Sequence, residues 1–248
     1  MNLVIPSTTM PVNVGVGSGT GGSSSISLSA PAGVTAGDLV FFMVFCDYSR
    51  SVSVSSNGGY TLQSIYTSPT AGERAYVFYG YYTGTQTSVT FSLNVSDHIV
   101  GAAIAYRNIK SLNYELFYDY SATTNKSVTS SLVAPPYSLV FLVSSEDTDT
   151  STTQHSGQQN ANLTGIIERK DVATSTGGGG GGQFVEGANA TASAKAVGTW
   201  SWTLATASTT SGIILVASNY ATVTVDPPAY KSELFIVHNS KLPEPWEV

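Results

Sequence analysis

The residues of this chain that could do chemistry are few and scattered. His98, His155 and His238 lie far apart, without carboxylates at metal-ligand spacing, and read as surface or turn histidines. Nothing in the sequence matches H-E-x-x-H, G-x-S-x-G, a P-loop or C-x-x-C. The most acidic stretch, Ser144 to Thr150, carries Glu146, Asp147 and Asp149. Oxygen ligands so closely spaced on a loop suit a hard cation, and Ca²⁺ is the metal to consider there. The further acids and the sixth-position glycine of an EF-hand are missing, so a solvated acidic loop is the favoured reading. Gly17-Ser18-Gly19-Thr20-Gly21-Gly22 spells G-x-G-x-x-G, but an alternating serine strand follows it where the dinucleotide fingerprint needs a helix. No cofactor is expected. Tyr79, Tyr81 and Tyr82 form a possible glycan-binding platform, although tyrosines on strands also serve as core or interface.

The elements that position these residues are strands. Leu39 to Cys46 is the longest apolar run, bounded by Ala36-Gly37-Asp38 and by Asp47-Tyr48-Ser49-Arg50. It does not alternate, so both its faces should be covered. The run has an echo in Ala134-Pro135-Pro136-Tyr137-Ser138-Leu139-Val140-Phe141-Leu142-Val143. A second pair of segments, Phe91 to Gly101 and Trp202 to Gly212, shares one spacing. Ala75 to Tyr82 should put Tyr76, Phe78 and Tyr82 on one face and Val77, Tyr79 and Tyr81 on the other. No segment carries an amphipathic helical period. The expectation is an all-β fold, a β-sandwich of jelly-roll-like type built from two pseudo-repeated halves.

The boundaries follow from composition. Residues 1–22 read as a flexible glycine-rich N-terminal arm, residues 23–222 as the sandwich, with repeats at about 30–108 and 132–218, and residues 223–248 as a C-terminal extension. The polar run Thr152 to Asn162 is expected to be exposed. The six glycines from Gly177 to Gly182 are too permissive to hold one conformation unaided. In the extension, Leu234-Phe235-Ile236-Val237 and Trp246 are surplus to the core and are the residues expected to bind a partner, by adding an edge strand to a neighbouring chain.

Bulk composition excludes some classes. Only 10% of residues are charged and the net charge is −6, which argues against a nucleic-acid partner. No apolar run reaches the length of a membrane span, and the N-terminus has no basic region of a secretory signal. Cys46 is the only cysteine, so no intrachain disulfide forms, and it reads as a small buried hydrophobe.

Several motifs carry a resemblance. Ala32-Gly33-Val34-Thr35-Ala36-Gly37-Asp38-Leu39-Val40, Gly59-Tyr60-Thr61-Leu62, Tyr79 to Thr83 and Ala102 to Arg107 are similar, in order, to signatures of β-sandwich virion proteins of tailed bacteriophages and prophages. The glycine run followed by Gly198 to Leu204 fits as well. The resemblance covers about residues 30–218, with Tyr60 where Trp is common and Asn108 where Gly is common. It implies a structural component of a phage particle, exposed on the head or the tail; with few charges and terminal segments able to reach neighbours, the expectation is a non-enzymatic capsid decoration (cement) protein. Its partners would be itself, as a homo-oligomer for which a trimer is one candidate, and the major capsid protein or other virion proteins. It would be assembled in the host cytoplasm and carried on the virion. The alternatives are a tail-fibre or host-recognition protein binding cell-surface carbohydrate, and an enzyme cleaving glycosides or peptides on a sandwich scaffold.

Overall fold

A computed structural model describes residues 2–5, 9–149 and 154–224. The strands in chain order are β1 (Asn2–Ile5), β2 (Val12–Val16), β3 (Thr20–Gly22), β4 (Ser25–Leu28), β5 (Leu39–Asp47), β6 (Val52–Ser56), β7 (Gln63–Tyr66), β8 (Glu73–Tyr81), β9 (Val89–Leu93) and β10 (Ile99–Arg107). They continue with β11 (Ser111–Ala134), β12 (Ser138–Glu146), β13 (His155–Asn160), β14 (Thr164–Thr174), β15 (Gly180–Asn189), β16 (Lys195–Ser218) and β17 (Ala221–Thr224). One 3-10 turn, Thr176–Gly178, precedes β15. The fold is all-β and antiparallel, as the strand-like periodicity predicts.

Two main sheets face each other. The first runs β2-β10-β5-β8-β7, with β3 also on β10; the second runs β11-β16-β12-β15-β14, with β13 also on β16. The orders correspond strand for strand. Pairing gives the same match at residue level: Leu39 faces Tyr81 and Tyr106, as Leu139 faces Ala188 and Ala217. Gly101 opposite Val44 corresponds to Gly212 opposite Ser144.

The seam between the sheets is aromatic. Phe41, Phe141, Phe184 and Tyr106 cluster there, with Tyr106 and Phe141 centroids 4.7 Å apart and Phe141 and Phe184 5.0 Å apart. Odd residues of β5 point into this seam. Its even residues, Val40, Phe42, Val44 and Cys46, pack under a third sheet, β4-β9-β6. This is why the central run is apolar throughout: β5 is the middle of three layers, and burying both faces of a strand favours the fold at about 25 cal/mol per Å² of apolar surface. In the second half the far ends of β11 and β16 bend back over β12 and do the work of a separate outer sheet. Trp200, Trp202 and Leu204 pack there on Val140 and Leu142.

Two expectations need correction. Residues 12–22 do not form a free arm, because β2 and β3 pair along β10. Their glycines serve close approach: a Cβ on Gly15 would lie 2.8 Å from the Ala32 carbonyl oxygen. The glycine run is also ordered at its end, since Gly180, Gly181 and Gly182 open β15 and are buried. A Cβ on Gly182 would fall 2.4 Å from the ring of Phe45, so only glycine lets β15 cross the seam there.

Candidate functional site

The charged residues gather at one end of the seam. Glu73 opens β8, fully buried, and its carboxylate contacts Nε2 of His98. Nδ1 of His98 lies 2.9 Å from Asp97 Oδ1, and Arg50 donates from Nε to Asp97 Oδ2 at 2.8 Å. Burial alone would lower the His98 pKa, but the two carboxylates outweigh it and hold the pKa at about 9. Burial pushes the Glu73 carboxyl up, against the pull of His98. The pair therefore shares a proton inside the protein. Hydroxyls of the second half complete the join: Ser211 Oγ donates to the Glu73 carbonyl at 2.7 Å and lies 2.8 Å from Thr67 Oγ1. This network stitches the halves together; Glu73, His98, Thr67 and Ser211 are buried, and it reaches solvent at Arg50 and Asp97.

His98 and His155 are thus not surface histidines. His155 is buried with Nδ1 3.4 Å from Asp171, whose Oδ2 accepts the backbone N–H groups of Gln154 and His155. The stretch expected to be exposed supplies β13, and His155 and Asn160 at its ends are buried. The sequence signal that points to the pair is the adjacency Asp97-His98, with Glu73 as the lone acid at the start of an aromatic-rich strand.

The acidic stretch also departs from a solvated loop. Glu146 is the last residue of β12 and fully buried, and neither carboxylate oxygen has a hydrogen-bond partner among the described residues. Burial, then the nearby charges of Asp171 and Asp147, lift its pKa to about 7. Asp147 donates its N–H to Ser208 Oγ at 2.8 Å. Among the described residues no three His, Cys, Asp or Glu side chains are placed to hold a metal ion, so Glu146, Asp147 and Asp149 are not assembled as a Ca²⁺ site there.

The tyrosines divide. Tyr79 and Tyr81, two residues apart on β8, line one cleft with Gln63, Lys110 and Leu112. Tyr82 does not join them: it turns to the other face and packs on Tyr60, with ring centroids 6.3 Å apart. A platform of all three is therefore ruled out by the alternation of the strand. Leu234, Phe235, Ile236, Val237 and Trp246 lie outside the described residues, as does His238.

The motif residues of the first half hold the frame. Arg107 donates from Nε to Asp38 Oδ1 and from Nη2 to Asp38 Oδ2, both at 2.8 Å, and Asp38 accepts the Thr35 N–H at 2.7 Å. The hydrogen bonds from Arg107 hold the Asp38 carboxyl below its usual range. This clamp closes the turn before β5 onto the end of β10. Compared with known proteins, the chain matches no family model, no curated protein and no solved structure. Among the described residues no helix is long and apolar enough to cross a membrane.

Proposed function

We propose that the chain is a non-enzymatic structural protein of a tailed-phage particle, a capsid decoration (cement) protein acting as a homo-oligomer. The observation that carries this reading is the use to which the resembling residues are put. Asp38 and Arg107 clamp a turn to a strand end, Tyr60 fills the outer layer against Phe42, and Tyr106 fills the seam. Each of these four side chains ties parts of the frame together. The exposed side of β11 carries Tyr114, Leu116, Tyr118 and Tyr120, contact area of the kind that neighbouring subunits cover. Residues 234–237 and Trp246 would reach the neighbour as an added strand.

Light scattering on the purified chain, with electron cryo-microscopy of the particle that carries it, tests the reading. Expected are a defined oligomer and density at regular lattice points on the head. A chain cut after Thr224 should keep its far-ultraviolet β spectrum and lose assembly. A stable monomer without affinity for capsids would sink the proposal. Density confined to the tail tip would replace it with an adhesion role.

A further inference from the structure

One side of the sandwich stands open. Where β8 and β7 of the first sheet face the start of β11, a cavity of about 280 Å³ remains. Small-ligand sites begin at about 300 Å³, so this one suits a single ring rather than an extended ligand. Its walls are fixed. Tyr79 donates its hydroxyl to Gln63 Oε1 at 2.7 Å, and Tyr81 donates to the Ile109 carbonyl at 3.0 Å. These tethers hold both rings in the wall of the cleft, Tyr79 packed on Phe41 with centroids 6.2 Å apart and Tyr81 48% exposed. Burial raises both phenol pKa values, so the hydroxyls stay neutral donors.

Two polar groups on the walls have no internal duty. The amide nitrogen of Gln63 makes no hydrogen bond among the described residues, although its oxygen is engaged by Tyr79. Lys110 is exposed and, like Arg74, Lys170 and Lys195, lies in no ion pair among the described residues; of these four only Lys110 lines this cleft. An exposed cation in the same cleft as two tyrosine rings can attract an anion, even on a chain of net charge −6.

We propose that this cleft binds one carboxylated pyranose unit, a uronic-acid type residue of a polysaccharide. The apolar C–H face of the ring stacks on Tyr81 and Tyr79, the Gln63 amide nitrogen donates to a ring hydroxyl, and Lys110 pairs with the carboxylate. Stacking alone would accept any pyranose, and Lys110 makes the site prefer the acid. The site belongs to the chain itself and does not depend on which part of a particle carries it.

Saturation-transfer NMR and titration calorimetry on the full chain, with glucuronate and glucose as probes, decide the matter. Expected is binding of glucuronate at least tenfold tighter than glucose in low salt. Lys110→Gln should remove that preference. Tyr81→Ala should abolish binding of both, while Tyr81→Phe, which keeps the ring and loses only the tether, should retain it. No transfer signal from either sugar at millimolar concentration overturns the proposal. So does equal binding of the two, or a Tyr81→Phe protein as inactive as Tyr81→Ala. Assembly of the particle is read separately, so a failed cement role and a failed sugar site are distinguishable.

Discussion

The two halves of the molecule share a strand order and differ in what they bury behind it. On the outer face of β5 the first half places Val44 and Cys46, with Tyr76 opposite Val44. The corresponding positions of the second half are Ser144, Glu146 and Gln183. Under the outer layer, Ile26 opposite Phe91 corresponds to Lys126 opposite Trp202. One layer is thus dry and the other carries polar and ionisable groups on the same backbone. The lesson is that strand order is held by the aromatic and aliphatic centre of the seam, to which both halves contribute, while the outer layers are free to diverge. Gln183 shows how the polar layer is made tolerable: it donates to Ser144 Oγ and accepts from Gln158.

The largest effect expected from breaking this comparison comes from exchanging Ile26 and Lys126 characters. Lys126 is buried but donates to Asp119 Oδ2 at 3.2 Å. Ile26 is buried in a cluster with Leu28, Phe42, Phe91 and Ile99. Ile26→Lys should therefore cost about 3 kcal/mol or more, because an ammonium would be buried without a counter-ion. Lys126→Met removes only one partner of its pair, but Asp119 stays a quarter exposed and keeps the Ser121 N–H, so the loss should remain below about 2 kcal/mol. Urea unfolding of the two variants measures both. Equal losses would show that the outer layers are not energetically distinct.

What could be read in the sequence follows the same division. The all-β class, the central run and its echo were legible because a stretch buried on both faces is apolar at every position, and Leu39 to Cys46 of β5 and Leu139 to Val143 of β12 both meet that condition. The facing of Tyr79 and Tyr81 was legible from period two. The glycine strands were not: composition alone cannot tell a glycine that is free from one pressed against a neighbour, as Gly182 is against Phe45. Nor were the buried acids. Glu146 reads as a loop residue because charge normally means solvent, and its burial depends on β14 and β16, which lie far away in the chain.

Glu146 makes the comparison sensitive to pH. Its folded pKa, about 7, lies above the ordinary 4.5. A raised folded value means that this contribution is fully present below pH 4.5 and lost as pH rises to 7, amounting to about 3 kcal/mol. His98, raised from 6.5 to about 9, adds a second loss between those values, shared with Glu73 because the two hold one proton between them. Thermal unfolding from pH 4 to 9 should therefore show stability falling in two stages. Glu146→Gln should flatten the lower stage and leave the upper one. A variant that still loses stability between pH 4.5 and 7 would assign that stage to another group.

The smallest expected effect sharpens the comparison at a shared feature. Tyr60 in the first half and Trp202 in the second are large buried rings whose polar atoms, the hydroxyl and Nε1, have no hydrogen-bond partner among the described residues. Tyr60 meets Phe42 edge-on, with centroids 5.3 Å apart, and Trp202 meets Phe117 at 6.0 Å. Tyr60→Phe keeps the ring and removes only the orphan hydroxyl, so it should stabilise by up to about 1 kcal/mol. Burial holds the Tyr60 pKa at about 12, so that gain should not vary between pH 5 and 9. Trp202→Phe also removes an orphan donor but empties part of its slot, and should cost about 1–3 kcal/mol. Denaturant midpoints of the two variants should move in opposite directions. A destabilised Tyr60→Phe protein would mean that the hydroxyl is bound to an ordered water, and that the first half's outer layer is less dry than its side chains suggest.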